Sequence, residues 1–190
     1  MLVGLALFGC GVAEPPQKNA TATARSTLAN EMRPSTSEKP GLLTINRPGL
    51  EQFLSDHRGK VILIDFWATW CPPCVEGYPH LVALSRKYDP QHVTVAAIAI
   101  DEPEQRCAIL ELLDAQQASF PNFRSVYGSV DGRSLQEFGV FSGKLPTLKL
   151  FDRHGSLSQT FGDGRHEAIN FEAIEVSIRA LLRDSNTTAD

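Results

Sequence analysis

The apolar residues of this chain are concentrated between residues 41 and 183, where they follow two alternating patterns. Short runs of apolar and β-branched residues, typical of strands, are separated by segments whose apolar residues recur every three or four positions, as in amphipathic helices. This alternation predicts one α/β domain. The hydrophobic content of 42% is sufficient for the core of such a domain.

The strand pattern is strongest at residues 61–67, a nearly continuous apolar run that predicts a strand covered on both faces. Residues 93–100 form a second run of this kind. Residues 147–152 and 157–161 predict a hairpin across the turn Arg153-His154-Gly155-Ser156. The other strand candidates are residues 42–45 and a short segment within residues 119–143.

Helices are predicted between these strands. A long helix at residues 72–88 is expected to bury Val75, Tyr78, Leu81, Val82 and Leu84, and to kink at Pro79, which removes a backbone hydrogen bond. The other predicted helices are a short one entered through Pro48, one at residues 104–117, a short one near residues 132–138, and a terminal one ending near Arg183.

The N-terminal ten residues are apolar and end in Leu7-Phe8-Gly9-Cys10. This ending resembles the lipobox of bacterial lipoproteins, whose leader is removed and whose cysteine is acylated. The resemblance implies an export signal at residues 1–10, a lipid anchor at Cys10 and a location in the cell envelope, facing the periplasm. The alternative is an apolar N-terminus without a role in export.

Residues 11–40 are rich in Ala, Thr, Ser and Pro and contain almost no large apolar side chains. Such a segment cannot offset the entropy of ordering, and we predict a disordered linker with a reach of about 30 Å. We also expect residues 184–190 to be a disordered tail. The globular domain is therefore expected at residues 41–183.

The formal net charge of −4 is modest, and neither acidic nor basic residues form a long block. A protein that binds nucleic acid usually carries a basic patch or stripe. We therefore expect no nucleic acid partner.

The most informative motif is Cys71-Pro72-Pro73-Cys74, which stands where the long helix is predicted to begin. Two cysteines at this spacing can close a small disulfide ring if the first precedes the helix and the second lies in its first turn. Unpaired N–H groups and the helix dipole would then stabilise the Cys71 thiolate, the attacking form. Cys74 would be the shielded thiol that resolves a mixed disulfide.

A Cys-x-x-Cys pair is also half of a zinc site, and His80 and Cys107 are the candidates to complete one. On a helix that turns about 100° per residue, His80 lies about 240° around from Cys74 and faces another direction. Cys107 belongs to a different predicted helix. We therefore expect no metal site.

Asp65 is an acid within the apolar run at residues 61–67. Burial there should raise its pKa and favour the neutral form. Such a group can exchange a proton with Cys74, and perturbed acids of this kind gather at reactive sites. The alternative is an aspartate whose oxygens are satisfied by backbone groups.

The segment Ile64-Asp65-Phe66-Trp67-Ala68-Thr69-Trp70-Cys71-Pro72-Pro73-Cys74 resembles the active-site region of thioredoxins, especially the TlpA/ResA-like branch. The resemblance extends to Pro79 and to Leu145-Pro146-Thr147, which is similar to the cis-proline loop of that family. It implies a three-layer thioredoxin-like fold with a central mixed sheet and a TlpA-like helical insertion around residues 104–117.

The same resemblance implies a thiol–disulfide oxidoreductase with catalytic residues Cys71, Cys74 and Asp65. Substrate would be contacted by Trp70, Pro72, Leu145 and Pro146. The redox-active disulfide would serve in place of a separate cofactor, and the partners would be protein thiols and disulfides.

Neither Pro72 nor Pro73 can donate an N–H to the Cys71 sulfur, so we expect a reductant or mild exchanger rather than a disulfide donor. A reductant in an oxidising compartment must be recharged, which implies a membrane thiol donor as partner.

Two other functions are compatible with the fold. A thiol peroxidase would require a Pro-x-x-x-Thr/Ser-x-x-Cys context, which Thr69 and Pro72 do not supply. A copper chaperone would require a histidine near the cis-proline loop, for which His154 is the only candidate.

Overall fold

The computed structural model describes residues 41–129, 132–162 and 169–183. The predicted export signal at residues 1–10, the linker at residues 11–40 and the tail at residues 184–190 lie outside these ranges and remain predictions.

Strands and helices alternate along the described chain, as the apolar pattern predicts. In chain order they are β1 (Leu42–Ile45), α1 (Arg47–Asp56), β2 (Val61–Trp67), α2 (Pro72–Lys87), β3 (Val93–Ala99), α3 (Arg106–Ala115), β4 (Asn122–Ser125), α4 (Arg133–Glu137), β5 (Thr147–Phe151), β6 (Leu157–Phe161) and α5 (Phe171–Arg183).

The strands form one mixed sheet in the order β1-β4-β3-β2-β5-β6. The first four strands of this order are parallel, whereas β5 is antiparallel to both β2 and β6. Every residue of β2 and β3 is buried, because each strand has neighbours on both sides and helices on both faces. The mixed sheet confirms the predicted fold class.

Side chains of β2 alternate between two hydrophobic cores, one on each face of the sheet. Val61, Leu63 and Trp67 pack in the core covered by α2, α3 and α5. Ile62, Ile64 and Phe66 pack in the core covered by α1 and by the segment around Phe138. By this alternation Asp65 belongs to the same face as Trp67, beneath α2.

The predicted boundaries differ most at the third helix, which was expected at residues 104–117. A 3-10 turn occupies Pro103–Gln105, as is frequent at helix starts, and α3 begins only at Arg106. The helix ends at Ala115, and Gln117 adopts the left-handed region with φ of 52°, which a helix cannot continue through. In α2, Val75 is only half-buried, and Cys74 takes the inward position instead.

Within the described ranges, none of the helices combines the length and apolar character needed to cross a membrane.

Truncation of the Ile64 side chain in the central strand should be costly, because Ile64 is fully buried in an apolar core and its removal leaves a cavity. We expect Ile64→Ala to lower the free energy of unfolding by about 2–5 kcal/mol. The matched control is Val176→Ala on the exposed side of α5, which should change it by no more than about 0.5 kcal/mol. Urea unfolding followed by circular dichroism measures both. Equal effects would contradict the assignment of β2 as the core strand.

Candidate redox site

The candidate site lies at the edge of the sheet where the parallel strands β2 and β3 end. Strand β2 ends at Trp67, a short loop of residues 68–70 follows, and Cys71 is the N-cap of α2. Strand β5 runs in the opposite direction, so its first residue, Thr147, lies opposite Phe66 near this edge. Three separate parts of the chain therefore meet around the cysteines.

Cys71 and Cys74 form a disulfide with their Cα atoms 5.3 Å apart. Cys71 precedes the helix and Cys74 lies in its first turn, which is the arrangement predicted from the spacing. The exposed fractions are small, 5% for Cys71 and 2% for Cys74. The pair is therefore a closed ring at the start of a helix, with Cys74 the more deeply buried member.

Few backbone N–H groups at the start of α2 are available to the Cys71 sulfur. The first two helical residues, Pro72 and Pro73, have no N–H group. The N–H groups of Cys74 and Val75 both donate to the carbonyl oxygen of Cys71, at 3.0 and 3.2 Å. In the disulfide form these N–H groups are therefore engaged within the turn, and stabilisation of a Cys71 thiolate by N–H groups and the helix dipole stays a prediction for the dithiol form.

Asp65 is buried in β2, between Ala97 of β3 and Leu148 of β5. Its Oδ1 atom has no hydrogen-bond partner. Burial raises the pKa of Asp65 from 3.8 to about 8, as expected for a carboxyl group removed from water. The predicted burial is thus confirmed, the pKa is raised in the predicted direction, and the unpartnered oxygen argues against an aspartate satisfied by backbone groups.

Tyr78 lies near this acid, on the helix that carries the cysteines. It lies on α2 one turn after Cys74, and its hydroxyl donates to Oδ1 of Asn122 at 2.7 Å. The pKa of Tyr78 is raised by burial and, to a lesser extent, by the nearby charge of Asp65. The Trp67 ring packs against the Tyr78 ring with centroids 4.8 Å apart. Aromatic packing therefore fixes the helix turn that lies over Asp65.

The two tryptophans of the motif have different environments. Trp67 is buried in the core, whereas Trp70 is 53% exposed directly before Cys71. Pro72 is also exposed. The exposed rings of Trp70 and Pro72 thus form an apolar surface beside the disulfide.

The loop that leads into β5 contains a cis peptide bond between Leu145 and Pro146, as the resemblance implied. Both residues are partly exposed at the cysteine end of the sheet. The hydroxyl of Thr147 donates to the carbonyl oxygen of Lys144 at 2.8 Å. Gly162 has φ of 73°, and a Cβ atom there would lie 2.3 Å from the carbonyl oxygen of Pro146. A glycine is therefore required where β6 ends against this loop.

The start of the same loop is held by Lys149, a buried lysine that the apolar pattern did not single out. Its Nζ donates to the carbonyl oxygens of Phe138 and Gly139 at 2.7 and 2.8 Å. These carbonyls lie at the C-terminal end of α4, where a positive charge is favoured. Lys149 therefore fixes one end of the segment that presents Pro146.

Sequence reasoning also missed the contact between Thr69 and Asp101. Asp101 follows β3 and is fully buried, and its carboxylate accepts hydrogen bonds from the backbone N–H and the hydroxyl of Thr69. A signal was present in the sequence, because residues that follow adjacent parallel strands, here Thr69 after β2 and Asp101 after β3, meet at one edge of the sheet.

The described histidines, among them His80 and His154, and the remaining described cysteine, Cys107, are not part of the site. Residues 152–156 connect β5 to β6, and the backbone N–H of Gly59, just before β2, donates to Arg153 at 2.8 Å. His154 is therefore at the opposite end of the sheet from Pro146 and does not supply the histidine near the cis-proline loop that a copper chaperone would require. Within residues 41–129, 132–162 and 169–183, no cluster of three or more His, Cys, Asp or Glu could hold a metal, so His80 and Cys107 complete no such group there.

The buried carboxyl of Asp65 predicts a pH-dependent penalty on stability. Because its pKa is raised from 3.8 to about 8, the folded protein retains a proton that the unfolded chain releases as the pH rises between these values. Each pKa unit corresponds to about 1.4 kcal/mol. Asp65→Asn should therefore raise the free energy of unfolding by a few kcal/mol at pH 8, and by progressively less towards pH 3.8. Urea unfolding of the oxidised protein across this range measures the difference. If the difference in free energy of unfolding between Asp65→Asn and the wild type did not change with pH, Asp65 would be ionised in the folded state.

Comparisons with known proteins agree with this architecture. The redoxin family profile matches residues 23–174, more than half of the 190-residue chain. The thiol-disulfide oxidoreductase ResA of Geobacillus kaustophilus is 31% identical over 124 residues, which cover 65% of this chain. The match spans 66% of that relative's own length.

Solved structures show the same fold. A protein from Chlorobium tepidum, described as a thiol:disulfide interchange protein DsbE, superposes with a TM-score of 0.54 and 29% identity, covering 68% of this chain and 84% of that one. A thiol-disulfide isomerase from Corynebacterium glutamicum gives a TM-score of 0.55 at 21% identity, covering 67% and 84%, and this likeness concerns the fold alone.

The mixed sheet, the disulfide at the start of α2 and the profile match over most of the sequence show that this chain belongs to the redoxin family, among its TlpA/ResA-like members with a thioredoxin fold.

Proposed function

We propose that this protein is a thiol–disulfide oxidoreductase that reduces or exchanges disulfides of envelope proteins through Cys71 and Cys74. The observation that carries the proposal is the disulfide between these residues at the start of α2, next to an exposed apolar surface. The names of the ResA relatives support the same chemistry. The redox-active pair is the only reactive group this reaction requires, so we propose no further cofactor.

The reaction follows from the order of the two sulfurs. In the dithiol form, the Cys71 thiolate attacks a substrate disulfide, forming a mixed disulfide and releasing one substrate thiolate. Cys74 then loses its proton and attacks the Cys71 sulfur, which releases the second substrate thiolate and restores the Cys71–Cys74 bond. Two electrons pass to the substrate, and its two sulfurs take up protons from the protein and solvent.

Asp65 is the proposed group that exchanges a proton with Cys74. It lies on the sheet face beneath α2, and its pKa of about 8 is close to neutral pH, where a group both accepts and returns protons readily. Because the acid is buried, the proton it takes up is shielded from bulk solvent. Water molecules, admitted by small movements of α2, would transfer this proton to and from the surface.

Substrate recognition is proposed for the surface around the disulfide. Trp70 and Pro72 would contact apolar groups near the substrate cysteine, since both are exposed beside Cys71. The backbone of Leu145 and the ring of Pro146 would support the substrate chain from the other side, at the sheet edge where β5 begins.

The proposed direction is reduction or mild exchange. A thiolate at Cys71 receives no N–H from Pro72 or Pro73, and the next two N–H groups are engaged with the Cys71 carbonyl. Fewer donors leave the thiolate less stabilised, which makes the dithiol a better reductant. In an oxidising compartment a membrane thiol donor would return the pair to the dithiol form.

The proposed location is the cell envelope, facing the periplasm, with a lipid anchor at Cys10. The sequence Leu7-Phe8-Gly9-Cys10 supports this proposal through its resemblance to a lipobox. Copper transfer is less favoured than thiol exchange, because His154 is at the far end of the sheet from Pro146.

Trapping of mixed disulfides tests the order of the sulfurs. Cys74→Ser should accumulate substrates bound to Cys71, because the serine hydroxyl cannot resolve the mixed disulfide, whereas Cys71→Ser should trap far fewer. Non-reducing electrophoresis and mass spectrometry of envelope fractions identify the trapped proteins. Equal trapping by both variants would reverse the proposed roles, and an absence of trapped proteins would argue against protein substrates.

A redox titration against glutathione tests the direction of the reaction. We expect a reduction potential well below the roughly −120 mV of strong oxidants, because the first turn of α2 provides no free N–H for the thiolate. A matched comparison is Pro72→Ala, which restores one N–H and should make the pair more oxidising. A potential near that of strong oxidants, or an opposite shift in P72A, would contradict the proposed direction.

A further inference from the structure

Residues that follow β3 form hydrogen bonds with the loop between β2 and α2 and fix its position. Thr69 donates its backbone N–H to Asp101 at 3.0 Å from Oδ1 and 3.2 Å from Oδ2, and its hydroxyl also donates to Oδ1. Asp101 has no exposed surface. A buried carboxylate that accepts this set of bonds from one residue is a specific anchor, because leaving either partner unsatisfied would be costly.

The anchored residue, Thr69, is close in sequence to Cys71, which carries the attacking sulfur. Thr69 precedes Cys71 by two residues, so their Cα atoms are at most about 7 Å apart. Within the loop, the N–H of Cys71 donates to the carbonyl oxygen of Ala68 at 3.2 Å. The N–H of Ile100 donates to the carbonyl oxygen of Trp67 at 3.0 Å, so the two residues that follow β3, Ile100 and Asp101, hold the chain on both sides of Ala68.

We propose that Asp101 is a positioning residue of the redox pair, which through Thr69 fixes the loop that places the Cys71 sulfur for exchange with Cys74 and with substrate. The inference rests on the proposed oxidoreductase function. During each cycle Cys71 changes partner between Cys74 and a substrate sulfur, and a loop that keeps its backbone fixed confines the motion to the side chain.

The electrostatic surroundings of Asp101 are consistent with an anchor. Burial raises the pKa of Asp101, while the hydrogen bonds from Thr69 and the charge of Arg124 act in the opposite direction. The adjacent acid, Glu102, serves another loop, because its Oε1 accepts from the N–H of Ser129 at 2.6 Å. The two neighbouring acids therefore hold different segments, and Glu102 offers a matched control.

The test measures two properties of the reduced and oxidised protein: the equilibrium constant for exchange with glutathione, and the rate constant for reaction of the dithiol with a small aromatic disulfide. Asp101→Ala should lower the rate constant on the order of ten-fold and shift the equilibrium constant, because small displacements of a reacting group have large effects on rate. Thr69→Val should change both in the same direction by less, since it removes only the hydroxyl bond. Thr69→Ser and Glu102→Gln should resemble the wild type.

Coupling between the two residues gives a second criterion. If Asp101 acts through Thr69, adding T69V to D101A should produce little further change, whereas independent sites are additive. Should D101A not fold, D101N and T69V carry the same comparison, because D101N keeps one acceptor oxygen for Thr69. Wild-type exchange constants in a folded D101A or T69V protein, or additive effects, would overturn the inference.

Failure of the proposed function is distinguishable from failure of this inference. The glutathione equilibrium and the small-disulfide rate report on the cysteine pair whether or not the protein reduces protein substrates. Reduction of insulin disulfides tests activity on a protein substrate. If the wild type does not reduce insulin but both constants shift in D101A, the proposed function fails and the positioning role stands. If insulin is reduced equally by wild type, T69V and D101A, the positioning role fails and the proposed function stands.

Discussion

The pairing of β2 with a strand on each side is the constraint on which the rest of the structure depends. Strand β2 is parallel to β3 and antiparallel to β5, so the end of one strand and the beginning of another meet at the same sheet edge. The cysteine helix leaves β2 at that edge, Asp101 follows β3 there, and Pro146 precedes β5. Backbone hydrogen bonding alone therefore assembles three distant segments of sequence into one site.

The burial that stabilises this strand also determines the chemistry of its one acidic residue. An apolar strand covered on both faces contributes most to the core, and Asp65 is the residue in it that opposes folding once ionised. The same desolvation raises its pKa to about 8, which suits the proton exchange with Cys74 that we propose. Ionisation of Asp65 thus lowers stability at the position of the proposed proton exchange, a common property of reactive sites.

The two prolines of the motif have a related effect on the cysteines. They begin the helix with the backbone geometry it needs, and they leave the Cys71 sulfur without N–H donors from the first two helical residues. The anchors on either side, Asp101 on Thr69 and Lys149 on the loop before Pro146, fix the backbone around the disulfide. In the proposed mechanism, the weakly stabilised thiolate makes the dithiol a better reductant, and the rigid frame keeps the Cys71 sulfur in place for exchange.

The sequence by itself determined the strands, the helices and the reactive pair, because apolar periodicity and the Cys71-Pro72-Pro73-Cys74 spacing are local properties of the chain. It also indicated the perturbed acid, since Asp65 stands within an apolar run. Only the tertiary structure decided that Asp101 reaches Thr69, that a buried Lys149 holds the end of α4, that the N–H groups after the prolines are occupied, and that His154 is far from Pro146. Each of these depends on the order and direction of the strands, which pair residues far apart in the chain and leave no periodic signal in it.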